Sequence, residues 1–104
     1  MTIAKLFNLP EEEIHLSFVV GDSMIEAGIK EGDIAVFRAI NDIPQNGSII
    51  IAALFGEVFI KRLKYDNDNI FLVSENRNYP PYRLDEKSDC QIIGQVIGKI
   101  SKIQ

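Results

Sequence analysis

The chain has 104 residues, of which 46% are hydrophobic and 25% are charged, and its formal net charge is −4. This composition is typical of one folded domain rather than of a disordered chain. Lys and Arg are scattered, whereas a phosphate-binding surface needs clustered cations, so we expect no direct nucleic-acid binding by this chain. The longest apolar run, Ile49 to Phe55, is far shorter than the roughly 20 residues of a membrane span, so we expect a cytoplasmic protein without a membrane anchor.

Cysteine and histidine each occur once, as Cys90 and His15. One cysteine cannot form an internal disulfide, and no Cys/His cluster has metal-ligand spacing, so we expect neither a metal nor a cofactor. The sequence offers no partner that would complete a serine–histidine hydrolase site around His15. We therefore expect a surface histidine at position 15 and a small buried or edge residue at position 90.

The N-terminal segment, residues 1–13, is expected to be a short arm. Thr2 to Leu9 could form one helical turn that Pro10 ends, and the acidic run Glu11 to Glu13 is typical of a solvated turn. From residue 14 to residue 104, short apolar segments separated by single Gly and Pro residues predict a mostly β, compact domain of antiparallel strands. The predicted strands are residues 16–20, 33–39, 48–54, 57–65, 70–74 and 91–103.

Turn residues support this pattern. Gly56 and the run Asp66 to Asn69 predict two hairpins. Residues 76–81 should form a loop, since neither of their two prolines can donate to a ladder. Gly94 and Gly98 interrupt the last strand, where glycine usually marks a bulge or the close approach of another backbone.

The first segment that could carry chemistry is Gly21-Asp22-Ser23-Met24, which follows the predicted strand 16–20. A serine at a tight turn after a strand can be exposed, and backbone N–H groups freed by the turn can stabilise a developing oxyanion. Taken alone, a Gly-Asp-Ser tripeptide is more often an ordinary turn or helix cap.

The second segment is the strand that contains Lys61. Alternation puts Phe59, Lys61, Leu63 and Tyr65 on one face and directs Arg62 and Lys64 toward solvent. An apolar environment disfavours the ammonium form, lowers the pKa of a lysine and so makes it a usable base. By itself, the pattern is more typical of a lysine whose stem packs on the apolar face while its ammonium reaches water.

Together the two segments resemble the LexA/UmuD family of self-cleaving proteins. The nucleophile region of that family is similar to Val20-Gly21-Asp22-Ser23-Met24-Ile25 with Ala27-Gly28-Ile29 and Gly32-Asp33, and its lysine strand is similar to Gly56 through Leu63. Ser74-Glu75-Asn76, Tyr79-Pro80 and Ile93 through Gly98 also match. The resemblance covers roughly residues 14 to 104.

The resemblance implies a serine–lysine peptidase with Ser23 as nucleophile, Lys61 as general base and the backbone N–H groups of Ser23 and Met24 as oxyanion donors. It also implies self-cleavage stimulated by a RecA filament on single-stranded DNA, and a homodimer formed through the C-terminal region. We expect that dimer to use the C-terminal strand as a pairing edge.

One feature departs from the family pattern. The self-cleaving members cut an Ala-Gly or Cys-Gly bond upstream of the serine, and residues 1–22 contain neither pair. Ala27-Gly28 follows Ser23 too closely to double back onto it. We therefore expect a processed, truncated or non-cleaving chain, without the helix-turn-helix domain of a repressor.

Three functions remain open at this point. A UmuD-like protein of the SOS mutagenesis response is slightly favoured, because Gly-Asp-Ser-Met-Ile and Asn78-Tyr79-Pro80 look closer to UmuD. The alternatives are the C-terminal domain of a LexA or phage-type transcriptional repressor, and a non-catalytic dimeric module that binds RecA or a translesion DNA polymerase. A signal peptidase is disfavoured, since it needs a membrane anchor or an apolar docking segment.

Overall fold

A computed structural model describes residues 1–40 and 42–103 of the chain. In this part of the chain, seven strands pair antiparallel in one sheet of order β1-β2-β7-β3-β4-β5-β6, which confirms the mostly β prediction. A short α-helix, α1, and a 3₁₀ helix, Glu11–Glu13, precede the sheet, and a second 3₁₀ helix, Ile25–Ala27, lies between its first two strands. The elements are α1 Ile3–Leu6, β1 His15–Phe18, β2 Ile34–Arg38, β3 Ile49–Leu54, β4 Glu57–Asp66, β5 Asn69–Val73, β6 Tyr82–Leu84 and β7 Cys90–Ile100.

The six predicted strands are present with shifted ends, and both predicted hairpins are confirmed. The β3–β4 hairpin turns at Phe55 and Gly56, and the β4–β5 hairpin turns at Asn67, whose φ of 55° is one that asparagine tolerates. Strand β6 was not predicted. It has only three residues and directly follows Pro80 and Pro81, so its sequence lacks a strand pattern of usable length.

Strand β7 connects two parts of the sheet. Cys90 to Gln95 pair with β3, and Gln95 to Ile100 pair with β2. Both pairings contain a register shift, and a Cβ at Gly94 would lie only 2.6 Å from the carbonyl oxygen of Arg38. The predicted bulges are therefore confirmed, and the close approach of another backbone is confirmed at Gly94, whereas the close neighbour of Gly98 is the Phe7 side chain. The predicted role of β7 as an edge strand is wrong, because β7 lies inside the sheet order and the edges are β1 and β6.

Most of the buried apolar side chains form two clusters, one on each part of the sheet. The first cluster lies next to β1 and β2 and includes Met24, and the partly buried Ile60 of β4 packs against it. The second lies between β3, β4 and β5. Burying one such side chain stabilises a fold by roughly 1.5–3 kcal/mol. The first cluster consists of Val19, Met24, Ile29 and Ala35, and the second of Ile50, Ala52, Leu63 and Leu72.

A buried carboxylate joins the start of β2 to the end of β7. Asp33 is 1% exposed and accepts hydrogen bonds from the Lys30 N–H and the Ser101 hydroxyl, with Lys99 also in contact. The hydrogen bond from the Lys30 N–H is the main cause that lowers the pKa of Asp33 to about 2, so the carboxylate is ionised when the protein is folded near neutral pH. In the described residues, no helix is long and apolar enough to cross a membrane.

Candidate active site

Ser23 lies in a turn that the fold holds at both ends. Just after β1, the Val19 N–H donates to the carbonyl oxygen of Asp33 over 2.9 Å. Gly21 then adopts a φ of 80°, in the left-handed region that glycine enters without steric cost. Met24, which follows the serine, is 2% exposed and anchors the turn in the first buried cluster. The Ser23 side chain is half-buried between these two fixed points.

The backbone N–H groups at the centre of this turn are available to a ligand. Among the described residues, neither the Ser23 nor the Met24 N–H donates a hydrogen bond within the protein. The Gly21 N–H donates to the Glu31 carboxylate and the Ile25 N–H to the Asp22 carbonyl, whereas the Asp22 N–H, like those of Ser23 and Met24, has no acceptor among the described residues. Two adjacent free N–H groups beside a hydroxyl are the donors that an oxyanion requires.

Ser23 borders a cavity of about 240 Å³ between the end of β1 and the start of β4. Most of the side chains around it are apolar, and several are unusually exposed: Phe18 is 74%, Val20 81% and Val58 58% accessible. Such a groove suits an apolar ligand beside the serine hydroxyl. Its lining comprises Ser17, Phe18, Val19, Val20, Gly21, Ser23, Met24, Val58, Phe59 and Ile60.

Lys61 is in β4, one residue beyond this lining, and its side chain is half-buried. Its predicted apolar face is confirmed, because Leu63 is buried and Phe59 and Tyr65 are half-buried. Burial disfavours the ammonium form and lowers the pKa of Lys61 below its ordinary value. The Nζ atom lies 5.3 Å from the ring centroid of Phe59 and 5.8 Å from that of Tyr79, contacts that favour the ammonium form and oppose this effect in part.

The opposite face of β4 differs from the prediction at one residue. Lys64 is exposed as expected. Arg62, predicted to be a solvent charge, is instead partly buried, forms an ion pair with Glu75 and donates to the carbonyl oxygen of Gly47. Alternation predicts which face a side chain occupies, but a loop that covers part of that face depends on tertiary structure.

The structure brings Ser23 and Lys61 into one region without joining them directly. The Nζ atom of Lys61 donates to the Ser74 hydroxyl over 2.8 Å, and no hydrogen bond joins Ser23 to Lys61 in the described part of the chain. Ser23 lines the cavity together with Ile60, the residue before Lys61, but Lys61 itself does not line it. The lysine amine is thus held near the nucleophile turn by a third residue.

Residues 74–79, called the bridging loop below, contact both halves of the site. On the β4 side, Ser74 and Glu75 bond to Lys61 and Arg62. On the other side, the loop reaches the turn that carries Ser23. The Glu26 N–H donates to the Glu75 carbonyl, the Asn76 side-chain amide donates to the Asp22 carbonyl over 2.9 Å, and the Tyr79 hydroxyl donates to the Asp22 carboxylate over 2.6 Å.

No pattern in the sequence directly indicates that this loop bridges the site. Asn76 and Tyr79 lie in the predicted loop 76–81 and in segments that resemble the family pattern, but neither observation indicates a contact with the nucleophile turn. Asn76 is a polar side chain with 6% exposure, and buried amides are normally hydrogen-bonded. The burial of Asn76 is thus the feature that marks its role, but this burial is known only from the tertiary structure.

The remaining candidates lie outside the site. His15 is exposed in β1, with its ring 5.4 Å from that of Phe37, and Cys90 is half-buried at the start of β7. Both placements agree with the sequence-based expectation, and neither residue lines the cavity beside Ser23.

Comparison with known proteins gives one family. A family model described as Peptidase S24-like matches residues 1–97. The LexA repressor of Oleidesulfovibrio alaskensis is 43% identical over 82 residues, which cover 79% of this chain and 39% of the relative. LexA repressors of Clostridium perfringens strain SM101 and Pelotomaculum thermopropionicum are 38% identical over 102 residues and 45% identical over 91 residues, covering 92% and 88% of this chain and 48% and 43% of the relatives.

The chain therefore spans less than half the length of these relatives. Because the relatives are named LexA repressors, the comparisons support the repressor alternative better than the UmuD-like function that the sequence slightly favoured.

Proposed function

We propose that this chain, which belongs to the Peptidase S24-like family, is the serine peptidase domain of a LexA-like repressor, with Ser23 as nucleophile and Lys61 as general base. One observation carries the proposal. The half-buried Ser23 lines a groove that residues of β4 also line, and β4 carries Lys61, whose pKa is lowered by burial. The N–H groups of Ser23 and Met24 beside it donate to no acceptor among the described residues. These are the components that acyl transfer by a serine requires.

In the proposed reaction, the Ser23 Oγ attacks a peptide carbonyl carbon as its proton passes to the neutral amine of Lys61. The resulting oxyanion accepts hydrogen bonds from the N–H groups of Ser23 and Met24. The C–N bond then breaks, and the Lys61 ammonium returns a proton to the leaving amine. Water, deprotonated by Lys61, hydrolyses the acyl-enzyme and restores the serine hydroxyl.

The groove favours an extended apolar peptide as substrate. Strand β1 is an edge of the sheet and, among the described residues, pairs with β2 alone, so its other side can accept a peptide strand. Leu16, Phe18 and Val20 are spaced two residues apart and are all exposed, and they lead directly to the Ser23 turn. A peptide paired along this edge would place its own apolar side chains on this row and a backbone carbonyl near Ser23.

In the whole protein we propose that the substrate is a segment of the same polypeptide, cut in response to DNA damage so that repression ends. A RecA filament on single-stranded DNA would promote this reaction, as the resemblance to the LexA/UmuD family implies. The same resemblance supports assembly as a homodimer.

Cleavage of a supplied peptide tests the proposed function. We expect the purified 104-residue chain to cut an apolar peptide that contains Ala-Gly, at that bond, with fragments identified by mass spectrometry. Ser23→Ala should lower the rate by about 10³-fold or more, because the nucleophile is lost. Ser17→Ala is the matched control, since Ser17 lines the same cavity but is a residue of β1 rather than of the turn.

Two results would contradict the proposal. If Ser23→Ala and Ser17→Ala cut at the same rate as the unaltered chain, Ser23 is not the nucleophile. If the folded chain cuts no Ala-Gly peptide at any pH up to its alkaline stability limit, the non-catalytic dimeric module becomes the better function.

A further inference from the structure

We infer that Ser74 is a positioning residue for Lys61, whose amine it orients toward Ser23. The inference rests on the proposed function and assigns the same site a third member. It comes from the bridging loop, a part of the chain to which the sequence assigned no role in the chemistry.

The contact is specific. The Lys61 Nζ donates to the Ser74 Oγ over 2.8 Å in a partly buried location. In the described part of the chain, this is the one hydrogen bond recorded for Nζ, whose other close neighbours are the faces of Phe59 and Tyr79. An aromatic face attracts an ammonium but offers no lone pair, so it cannot fix the direction of an N–H bond. Ser74 therefore sets the orientation of the amine.

Orientation matters because of how a neutral amine is built. It has two N–H bonds and one lone pair, and only the lone pair can accept the proton of Ser23. When one N–H bond is directed to Ser74, rotation about the Cε–Nζ bond is restricted, and the lone pair keeps a defined direction. General-base catalysis depends on such geometry, and a small displacement can lower a rate by about 100-fold.

The bridging loop makes this orientation part of the fold. Glu75, next to Ser74, bonds to Arg62 and to the backbone of Glu26. Asn76 bonds to the carbonyl of Asp22, the residue before the nucleophile. The hydroxyl that holds the lysine is thus one residue from a segment bonded to the nucleophile turn, which fixes the two reacting groups in a common frame.

Ser74 also contributes to the titration of Lys61. A hydroxyl oxygen accepts a stronger hydrogen bond from an ammonium than from a neutral amine. Loss of this acceptor disfavours the ammonium form, so Lys61 should lose its proton at a lower pH in a variant without the hydroxyl. In such a variant the lone pair of Lys61 would become available at a lower pH but would be poorly directed toward Ser23.

The experiment compares Ser74→Thr with Ser74→Val, which have the same shape and differ in the hydroxyl. Two quantities are measured against pH in each folded variant. The first is the rate of peptide cleavage. The second is the extent to which acetic anhydride labels the Lys61 amine, read by mass spectrometry, which requires no peptidase activity. Ser88→Val serves as a control at a serine in the loop between β6 and β7.

We expect Ser74→Thr to resemble the unaltered protein in both measurements. In Ser74→Val, the pH midpoint of Lys61 labelling should be lower than in the unaltered protein. The cleavage rate that this variant reaches at alkaline pH should fall by on the order of 10- to 100-fold. An unchanged or higher plateau in Ser74→Val would overturn the inference, and so would a reduced plateau with an unmoved Lys61 midpoint, since loss of structure alone produces that.

The two measurements also separate this inference from the proposed function. If no variant cuts the peptide but the Lys61 midpoint moves in Ser74→Val, the proposed function fails while the contact between Ser74 and Lys61 stands, and a role in peptide cleavage is excluded. If Ser23-dependent cleavage is present and Ser74→Val matches Ser74→Thr throughout, the proposed function stands and the role of Ser74 is wrong.

Discussion

At the scale of single residues, the site depends on a lysine whose environment acts in two directions. Partial burial beside Leu63 and Phe59 lowers the pKa of Lys61, while two aromatic faces and the Ser74 hydroxyl favour its charged form. The neutral amine is the form that can accept a proton from Ser23. Its fraction increases as the pH rises through the pKa of the folded state.

Peptide cleavage should therefore increase with pH, and the increase should begin below the pH at which an exposed lysine titrates. Lys61→Arg keeps a positive charge that does not dissociate at usable pH, so it should abolish the alkaline increase. Lys64→Arg is the matched control on the exposed face of β4 and should leave the increase intact. The measurement is the rate against pH for the three proteins. A folded Lys61→Arg variant that retains the increase would exclude Lys61 as the base.

At the scale of elements, the bridging loop holds the two halves of the site together through hydrogen bonds. Its backbone and side chains bond to β4 on one side and to the turn at residues 22–26 on the other. Asn76 is central to it, because its buried amide donates to the Asp22 carbonyl and its oxygen accepts from the Asn78 N–H.

Asn76→Ala should lower the free energy of unfolding by roughly 1 kcal/mol, since it removes two partly buried hydrogen bonds to the backbone of Asp22 and Asn78. It should also reduce the cleavage rate under conditions where the protein stays folded, because the nucleophile turn loses a fixed contact. Urea unfolding and cleavage assays would measure the two effects. Asn78→Ala is the control, because Asn78 is exposed and the loop uses its backbone N–H. Equal stability of the two variants would show that the Asn76 contact does not hold the loop.

At the scale of the whole molecule, β7 determines how the two parts of the sheet are joined. Its first half pairs with β3 and its second half with β2, and the bulges near Gly94 and Gly98 let the strand bend between them. A homodimer formed through the C-terminal region cannot depend on a free β7 edge in the way the sequence suggested. It would instead use side chains near the end of the chain, where Ile103 is fully exposed and Ile100 is 40% accessible.

We expect a homodimer in sedimentation experiments at micromolar concentration. Ile103→Asp should weaken the association by about tenfold or more, since a charge replaces an apolar contact at the proposed interface. Ile43→Asp is the control, because Ile43 is 82% exposed but lies in the loop between β2 and β3. A monomeric chain, or a dimer weakened equally by the two substitutions, would contradict an interface at the C-terminal end.

The sequence by itself determined six of the seven strands and the two predicted hairpins, because alternation and turn residues act over a few positions. It also indicated the apolar face around Lys61 and the turn position of Ser23, both of which follow from local pattern, and the resemblance supplied their paired roles. Tertiary structure decided the partial burial of Arg62, the internal position of β7 in the sheet and the contacts of the bridging loop. Tyr79 and Asp22 are 57 positions apart, and Asn76 and Asp22 are 54 apart. Contacts over such separations arise when the sheet brings β4 and β5 beside the turn after β1, and no local periodicity encodes them.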